Sequence, residues 1–471
     1  MALRLHDTLT RTLQEVVPLE EGHVRVYTCG PTVYARAHIG NFRTFLFEDV
    51  LHRWLERRFP RVTHVMNLTD VDDKIITAAA AAGHDLHEET APWIAAFFED
   101  LETLNIRRAH HYPRATEYIE EMVGIIERLE AAGVTYRSDG SVYFRIAAFP
   151  EYGRLSGVRA DGLVAGAGGR VDADEYDKED VRDFALWKAA TADEVGWDTR
   201  LGRGRPGWHI ECSAMSMTLL GESFDIHCGG VDNIFPHHEN EIAQSEAATG
   251  RRFVRVWVHG EHLRTGGEKM AKSLGNFATV DELVAAGARP SALRYLLIAG
   301  AHYRRTVNYT EESVHAATES VDRFADFSER VRSHEPHGDA TGAADSRVAR
   351  TRAAFESAMD DDLNLAEAMG AVFSLIRSLN RELDGRGVDA TTHRELVELI
   401  DEVDDVLGVL PLVERERAGA ALDPDSAAML SARETARAAR QWDESDRLRD
   451  ALAERGIAVE DTPAGQRWRR A

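Results

Sequence analysis

HVRVYTCGPTVYARAHIGNFRTFLFEDVLHRWLERRFPRVTHVMNL, residues 23–68, is the stretch whose reading decides the fold. Its two ends, 23–29 and 62–68, are apolar and β-rich and read as strands. Between them Phe45, Val50, Leu51, Trp54 and Leu55 recur at helical spacing, which predicts a helix over 42–58. Strand, helix, strand is a βαβ unit, and it implies a parallel sheet. Downstream, helical patterns recur over 73–82, 88–105 and 117–132, and further strands are expected at 224–227 and 253–259. Residues 157–183 are rich in Gly and Asp and read as an inserted, loop-rich region. Beyond Thr310 the character changes: 311–332, 346–359, 365–383 and 392–407 are amphipathic and predict a helical bundle. Residues 411–425 read as a linker, and 427–468 as a short helix-rich module.

At 471 residues the chain is long for one core and should divide into two to four domains. Its 44% hydrophobic and 29% charged content is that of a globular protein. No apolar run follows the first residues, so no secretory signal is expected, and no stretch is long and apolar enough to predict a membrane span. Three scattered cysteines cannot make a disulfide framework; free thiols in a reducing cytoplasm are expected. The net charge of −24 argues against nucleic acid as a partner, but charge is unevenly spread. Residues 431–471 carry nine Arg against eight acidic residues and end in Arg467-Trp468-Arg469-Arg470. That end is read equally as a solvated tail or as a cationic, aromatic contact surface.

Three further motifs carry chemistry. Cys212 lies in Gly-Trp-His-Ile-Glu-Cys-Ser, and His237 and Glu241 lie in Pro-His-His-Glu-Asn-Glu. Thiolate, imidazole and carboxylate are the common zinc donors. Pro236 suits the first position of a helix, so His237 and Glu241, four apart, should share one helix face. Cys29, ending the first strand, is the fourth candidate donor, and Cys228 is a rival. Each alone also reads as a buried small residue or a solvated charge. His38-Ile39-Gly40-Asn41 sits at the start of the first long helix, where N–H groups favour phosphate and Gly40 permits close approach. Lys269-Met270-Ala271-Lys272-Ser273 follows Gly266-Gly267; two lysines there can close on a triphosphate. Seen singly, the first is an ordinary loop and the second a solvated basic loop.

Taken together, His-Ile-Gly-Asn and Lys-Met-Ala-Lys-Ser resemble the paired HIGH and KMSKS signatures of class I aminoacyl-tRNA synthetases. Cys29, Gly-Trp-His-Ile-Glu-Cys-Ser-Ala-Met and Phe-Pro-His-His-Glu-Asn-Glu narrow the resemblance to the cysteinyl-tRNA synthetase family. So do Thr69-Asp70-Val71-Asp72-Asp73-Lys74, Asp183-Phe184-Ala185-Leu186-Trp187-Lys188 and Lys272-Ser273-Leu274-Gly275-Asn276. The resemblance covers residues 5–468. It implies an α/β fold: a Rossmann-like parallel-sheet catalytic domain over 1–250 with an insertion at about 115–205, and a connecting domain with the KMAKS loop over 251–310. An α-helical bundle over 311–410 and a C-terminal anticodon-binding module over 425–471 would follow.

The resemblance also implies roles. One Zn2+ per chain would be held by Cys29, Cys212, His237 and Glu241 and bind the thiolate of substrate cysteine. His38, Asn41, Lys269 and Lys272 would be catalytic, with His38, Gly40 and Lys272 on ATP. Thr69, Trp208 and Asp232 would line the amino-acid and nucleotide pocket, and Arg437, Trp442, Asp446 and Asp461 would read the anticodon. The implied reaction ligates L-cysteine to tRNA(Cys) through a cysteinyl-adenylate, with Mg2+ accompanying ATP, in a cytoplasmic monomer. Three positions depart from the family pattern: Asn41 for the second histidine of HIGH, Ala271 in the middle of KMSKS, and Cys228 where glycine is usual. Two alternatives stay open. One is a cysteine ligase with a small amino-sugar acceptor, which would lack the C-terminal module; the other is a non-catalytic zinc- or RNA-binding paralogue.

Overall fold

The first long helix, α1 (Ile39–Arg58), starts earlier than the expected residue 42 because two side chains close its first turn. Nδ1 of His38 accepts from the N–H of Asn41 at 3.2 Å, and Oδ1 of Asn41 accepts from the N–H of His38 at 3.1 Å. This reciprocal cap satisfies two backbone donors that a helix start leaves bare. Arg57 and Arg58 occupy the last turn, where cations suit the exposed carbonyls.

The computed structural model describes residues 2–158, 182–266, 268–269, 277–336, 346–384, 388–420, 424–462 and 465–470. Four strands, β1 (His23–Thr28), β2 (Arg61–Met66), β3 (Phe224–Gly230) and β4 (Val254–Gly260), form a parallel sheet in the order β4-β3-β1-β2. Every residue of β3 is buried, as in a strand covered on both faces, and this includes the polar Asp225 and His227. From β1 the chain crosses to β2 on one side, whereas β3 pairs on the other. The carboxyl ends of β1 and β3 therefore flank a topological switch point, where open parallel sheets bind ligands. Helices α1, α2 (Trp208–Leu220) and α3 (Glu239–Thr249) position the residues around it. Tyr27, Val65, Trp187, Ile210 and Trp257 belong to one buried apolar cluster.

The insertion holds more than loops. Strands 135–138, 141–144, 184–189, 202–206 and 197–199 make a five-stranded antiparallel sheet in that order. The first hairpin turns at Asp139-Gly140, both at positive φ (45° and 79°), a turn type that suits this dipeptide. Most of the expected loop-rich segment 157–183 lies outside the described residues.

The chain divides into two compact units, 1–409 and 410–471. In the first, the expected bundle forms from Glu311–Ser333, Ser346–Asp360, Leu365–Asp384 and Ala390–Leu407. It is fastened to α1 by charge. Asp360 accepts from Trp54 Nε1 (3.1 Å), Arg58 Nε (2.8 Å) and Arg58 Nη2 (2.7 Å). Fully buried Arg294 donates to Asp49 Oδ2 at 2.6 Å, to the Leu104 and Asn105 carbonyls at 3.0 Å, and to the carbonyl of Leu407. The second unit corrects two expectations. The linker read at 411–425 begins with a helix, Leu410–Ala420; Pro411 is tolerated because first-turn N–H groups lack partners anyway. The module holds two helices, Pro424–Ala438 and Trp442–Glu454, and also an antiparallel hairpin, Ile457–Thr462 with Gly465–Arg470. Leu430, Leu452 and Ile457 form its small core. Among the described residues no helix is long and apolar enough to cross a membrane.

Candidate active site and metal centre

Cys29 follows β1, Cys212 lies on α2, His237 lies in the wide turn Ile234–His238, and Glu241 lies in the first turn of α3. All four are buried, and their donor atoms lie within 4.8 Å of one another. Phe235 is extended (φ −138°, ψ 132°), the conformation favoured before proline, and the chain is helical from Pro236 into α3. As expected, His237 and Glu241 share a face one turn apart, Nε2 to Oε1 at 3.1 Å. Its Nδ1 is engaged at 3.0 Å by Nδ1 of His209, so Nε2 is the nitrogen turned to the cluster.

Two histidines join this cluster that the sequence reading passed over. Cys29, His227, His238 and Glu241 form a second, overlapping tetrad. His227 Nε2 lies 3.1 Å from Glu241 Oε2, and His238 Nε2 lies 3.2 Å from the Cys29 sulfur. His238 Nδ1 continues to His259 Nε2 at 2.8 Å, and His259 Nδ1 to Thr8 Oγ1 at 2.7 Å. Gly229 makes room for this relay: a Cβ there would lie 2.8 Å from the His238 ring. Both histidines stand in the stretches 224–230 and 236–241, but adjacent histidines carry no periodicity to say which one turns inward. Cys228, the rival donor, is fully buried and belongs to neither tetrad.

Burial sets the charge state. It pushes the Cys29 thiol well up, and it pushes the Glu241 carboxyl up to about 7 against the pull of His237. The neighbouring Cys29 draws the Cys212 thiol down, but burial and Glu241 leave it raised. Burial lowers His237 and His227 to about 3, so both imidazoles are neutral. Oε1 of Glu241 is buried without a well-directed hydrogen bond. Neutral imidazoles, two thiols and a carboxyl with one oxygen lacking a well-directed hydrogen bond make a donor set that fits a borderline-soft divalent metal.

The two tetrads differ in access. Cys29, Cys212 and His237 line a cavity of about 290 Å³; His227 and His238 do not. Thr69, Trp208, Asp232, His38 and Asn41 line the same cavity. Trp208 stacks on the His237 ring at 4.3 Å, and Thr69 Oγ1 accepts from Asn67 Nδ2 at 3.1 Å. Gly30 lets the chain pass Asn67, whose carbonyl oxygen would lie 1.8 Å from a Cβ. Gly40 is in the first turn of α1 and is absent from the cavity lining. Asn41, in place of a second histidine, caps the helix. Lys269 ends a short strand, Glu268–Lys269, paired with Leu263–Thr265; Lys272 and Ala271 lie outside the described residues. The His38 ring packs edge-on against Phe277, which follows that loop, at 5.0 Å.

In the second unit Arg437 and Trp442 do not share a helix: one nears the end of the first helix and the other opens the next. Arg440, at φ 59°, makes the turn between them. The Arg437 guanidinium still lies 5.6 Å from the Trp442 ring, and Trp442 is 55% exposed. Asp446 pairs with Arg449 at 3.3 Å. Asp461 lies on the hairpin strand opposite Gln466.

A parallel sheet with ligand donors at its switch point, an antiparallel insertion and a following helical region define a class I aminoacyl-tRNA synthetase fold. A structure of Mycobacterium tuberculosis methionyl-tRNA synthetase with methionyl-adenylate superposes with a TM-score of 0.57 at 17% identity, covering 83% of this chain and 90% of that one. The family described as tRNA synthetases class I (C) catalytic domain matches residues 15–319. A DALR domain matches 354–411, and a cysteinyl-tRNA ligase anticodon binding domain matches 419–469. Relatives named cysteine–tRNA ligase include one from Solibacter usitatus, 46% identical over 100% of both chains. Another, from Protochlamydia amoebophila, is 45% identical over 99% of this chain and 98% of its own. The chain belongs to the cysteinyl-tRNA synthetase family. The match at 419–469 weighs against the small-acceptor alternative.

Proposed function

We infer that the protein charges tRNA(Cys) with L-cysteine at the expense of ATP. The observation that carries this is the convergence of Cys29, Cys212 and His237 with Thr69, Trp208 and His38 on one cavity. A zinc ion held by Cys29, Cys212, His237 and Glu241 would supply a soft Lewis acid for a substrate thiolate, which a serine hydroxyl cannot match. We assign the metal to this tetrad and not to the His227–His238 one because three of its members, Cys29, Cys212 and His237, line the cavity, against Cys29 alone in the other. His209, His227 and His238 orient the donors from behind.

A carboxylate oxygen of cysteine attacks the α-phosphorus of ATP, bound with Mg2+; the α–β bridging bond breaks and pyrophosphate leaves. A terminal ribose hydroxyl of the tRNA then attacks the adenylate carbonyl carbon, losing its proton as AMP departs. Trp208, Thr69 and Asp232 position the amino acid and nucleotide. His38 receives phosphate at the start of α1, where Gly40 permits close approach, and Lys269 and Lys272 meet the charge on the leaving pyrophosphate. Catalysis is then mostly positioning and charge stabilisation. We assign 1–250 to activation, 251–310 to the loop that bears these lysines, 311–410 to a supporting bundle, and 425–471 to anticodon contact through Arg437, Trp442, Asp446 and Asp461. One chain carries all these parts, so a monomer suffices. Cysteine-dependent exchange of pyrophosphate into ATP, followed by charging of tRNA(Cys), tests the reading. Exchange supported equally by serine and cysteine would overturn the thiol selection, and exchange without any tRNA charging would overturn the acceptor.

A further inference from the structure

Among the described residues, one other cluster of histidine and carboxylate donors converges, further along α1: His52, Glu56 and His110, with donor atoms within 4.8 Å of one another. His52 and Glu56 are four apart on the helix and share a face. His110 belongs to the segment that returns the chain to β2, where its neighbour His111 bridges Val65.

Each imidazole is held by one nitrogen. His110 Nδ1 accepts from the N–H of His64 at 3.0 Å, leaving Nε2 for a metal. His52 Nδ1 lies 3.3 Å from Nδ1 of His64, whose Nε2 lies 3.0 Å from Thr28 Oγ1. That leaves Nε2 of His52, a residue 3% exposed, facing Glu56 Oε1 at 3.3 Å without a well-directed hydrogen bond. When His52 donates its Nδ1 proton to His64, a lone pair at Nε2 points at a carboxylate oxygen. In that tautomer a cation between the two atoms satisfies both. The other oxygen of Glu56 is occupied by Arg107, so one oxygen stays available. Imidazoles fixed by one nitrogen with the other directed into shared space are arranged as metal-binding imidazoles are.

We propose that His52, Glu56 and His110 form a second transition-metal site, for zinc, cobalt or nickel, with water completing the coordination. Two imidazoles favour these ions over magnesium or calcium. Tetrahedral ligands at normal bond lengths stand about 3.3–3.5 Å apart, so a small movement of the exposed His110 and Glu56 closes the shell. A bound ion would pin the segment that runs beside β2 at His110 to α1.

Equilibrium dialysis of the full-length, metal-stripped protein against cobalt, with absorption spectra, tests this. Two cobalt ions per chain are expected: one with a thiolate-to-cobalt charge-transfer band, from the cavity site, and one without. His110→Ala and Glu56→Gln should each weaken the band-free ion at least tenfold and leave the thiolate band intact. Cys212→Ser should remove the band and leave the second ion. The two sites are thereby read separately, and failure of either leaves the other standing. A wild-type chain that binds no band-free cobalt in the micromolar range, or a second ion unaffected in both His110→Ala and Glu56→Gln, overturns the proposal.

Discussion

His237 is useful to a metal only because His209 holds its other nitrogen at 3.0 Å. His209→Ala should lower metal affinity about 10–100-fold with the fold retained, measured by competition with a chelator. Cys212→Ser should go further and lose both the metal and cysteine-dependent exchange, since a hydroxyl replaces a thiolate donor. A Cys212→Ser enzyme with full exchange activity would mean the cluster is structural only. At this scale the sequence was legible where a side chain's chemistry is rare, as at Cys29 and Cys212, two of only three cysteines. It was silent on His227 and His238, whose inward turn depends on the kink at Phe235 and the room left by Gly229.

Helix α1 carries a carboxyl where a core residue should be. Glu48 is 1% exposed and neither oxygen has a hydrogen bond, so burial pushes its pKa well above the ordinary 4.5. The folded protein therefore binds this proton more tightly than the unfolded chain does. The resulting stability is fully present below about pH 4.5 and is lost as pH rises toward the folded-state value. Glu48→Gln should flatten the fall in melting temperature between pH 5 and pH 8. Glu48→Leu should stabilise the protein by about 1–3 kcal/mol at pH 8, because the desolvated polar group is gone. A wild-type melting temperature that does not fall across that range would place Glu48 in water. Elements with long periodic patterns, such as α1 and the four bundle helices, were legible. The strands of the insertion were not: five short strands of mixed composition show too few alternations, and only Asp139-Gly140 marks a hairpin. The helix Leu410–Ala420 was hidden because Pro411 signals a break except in a first turn.

For the whole molecule, the C-terminal unit is separable by chemistry. Trp442 is exposed beside Arg437, a surface suited to stacking on an unpaired base. Trp442→Ala should raise the Michaelis constant for tRNA(Cys) about 10-fold or more, since stacking contributes roughly 1–3 kcal/mol per base. Pyrophosphate exchange, which needs no tRNA, should be unchanged. Equal charging by Trp442→Ala would make this tryptophan a bystander. The change beyond Thr310 to amphipathic helices was legible from their periodicity. The union of 1–409 into one unit was not, because it depends on buried Arg294 and on Asp360, ion pairs whose partners are remote in sequence.

The four donors proposed for the metal are Cys29, Cys212, His237 and Glu241, and the chain is made from one end. At ordinary synthesis rates, roughly 10–40 s separate the appearance of the first and the last at the ribosome. Throughout that interval Cys29 is a bare thiol on an unfinished sheet. A ribosome-arrested chain ending at residue 236 should react with a thiol-alkylating probe at Cys29 whether or not zinc is supplied. A chain long enough to expose Glu241 should be shielded when zinc is present. Birth, more than maturity, is when this enzyme is open to oxidants.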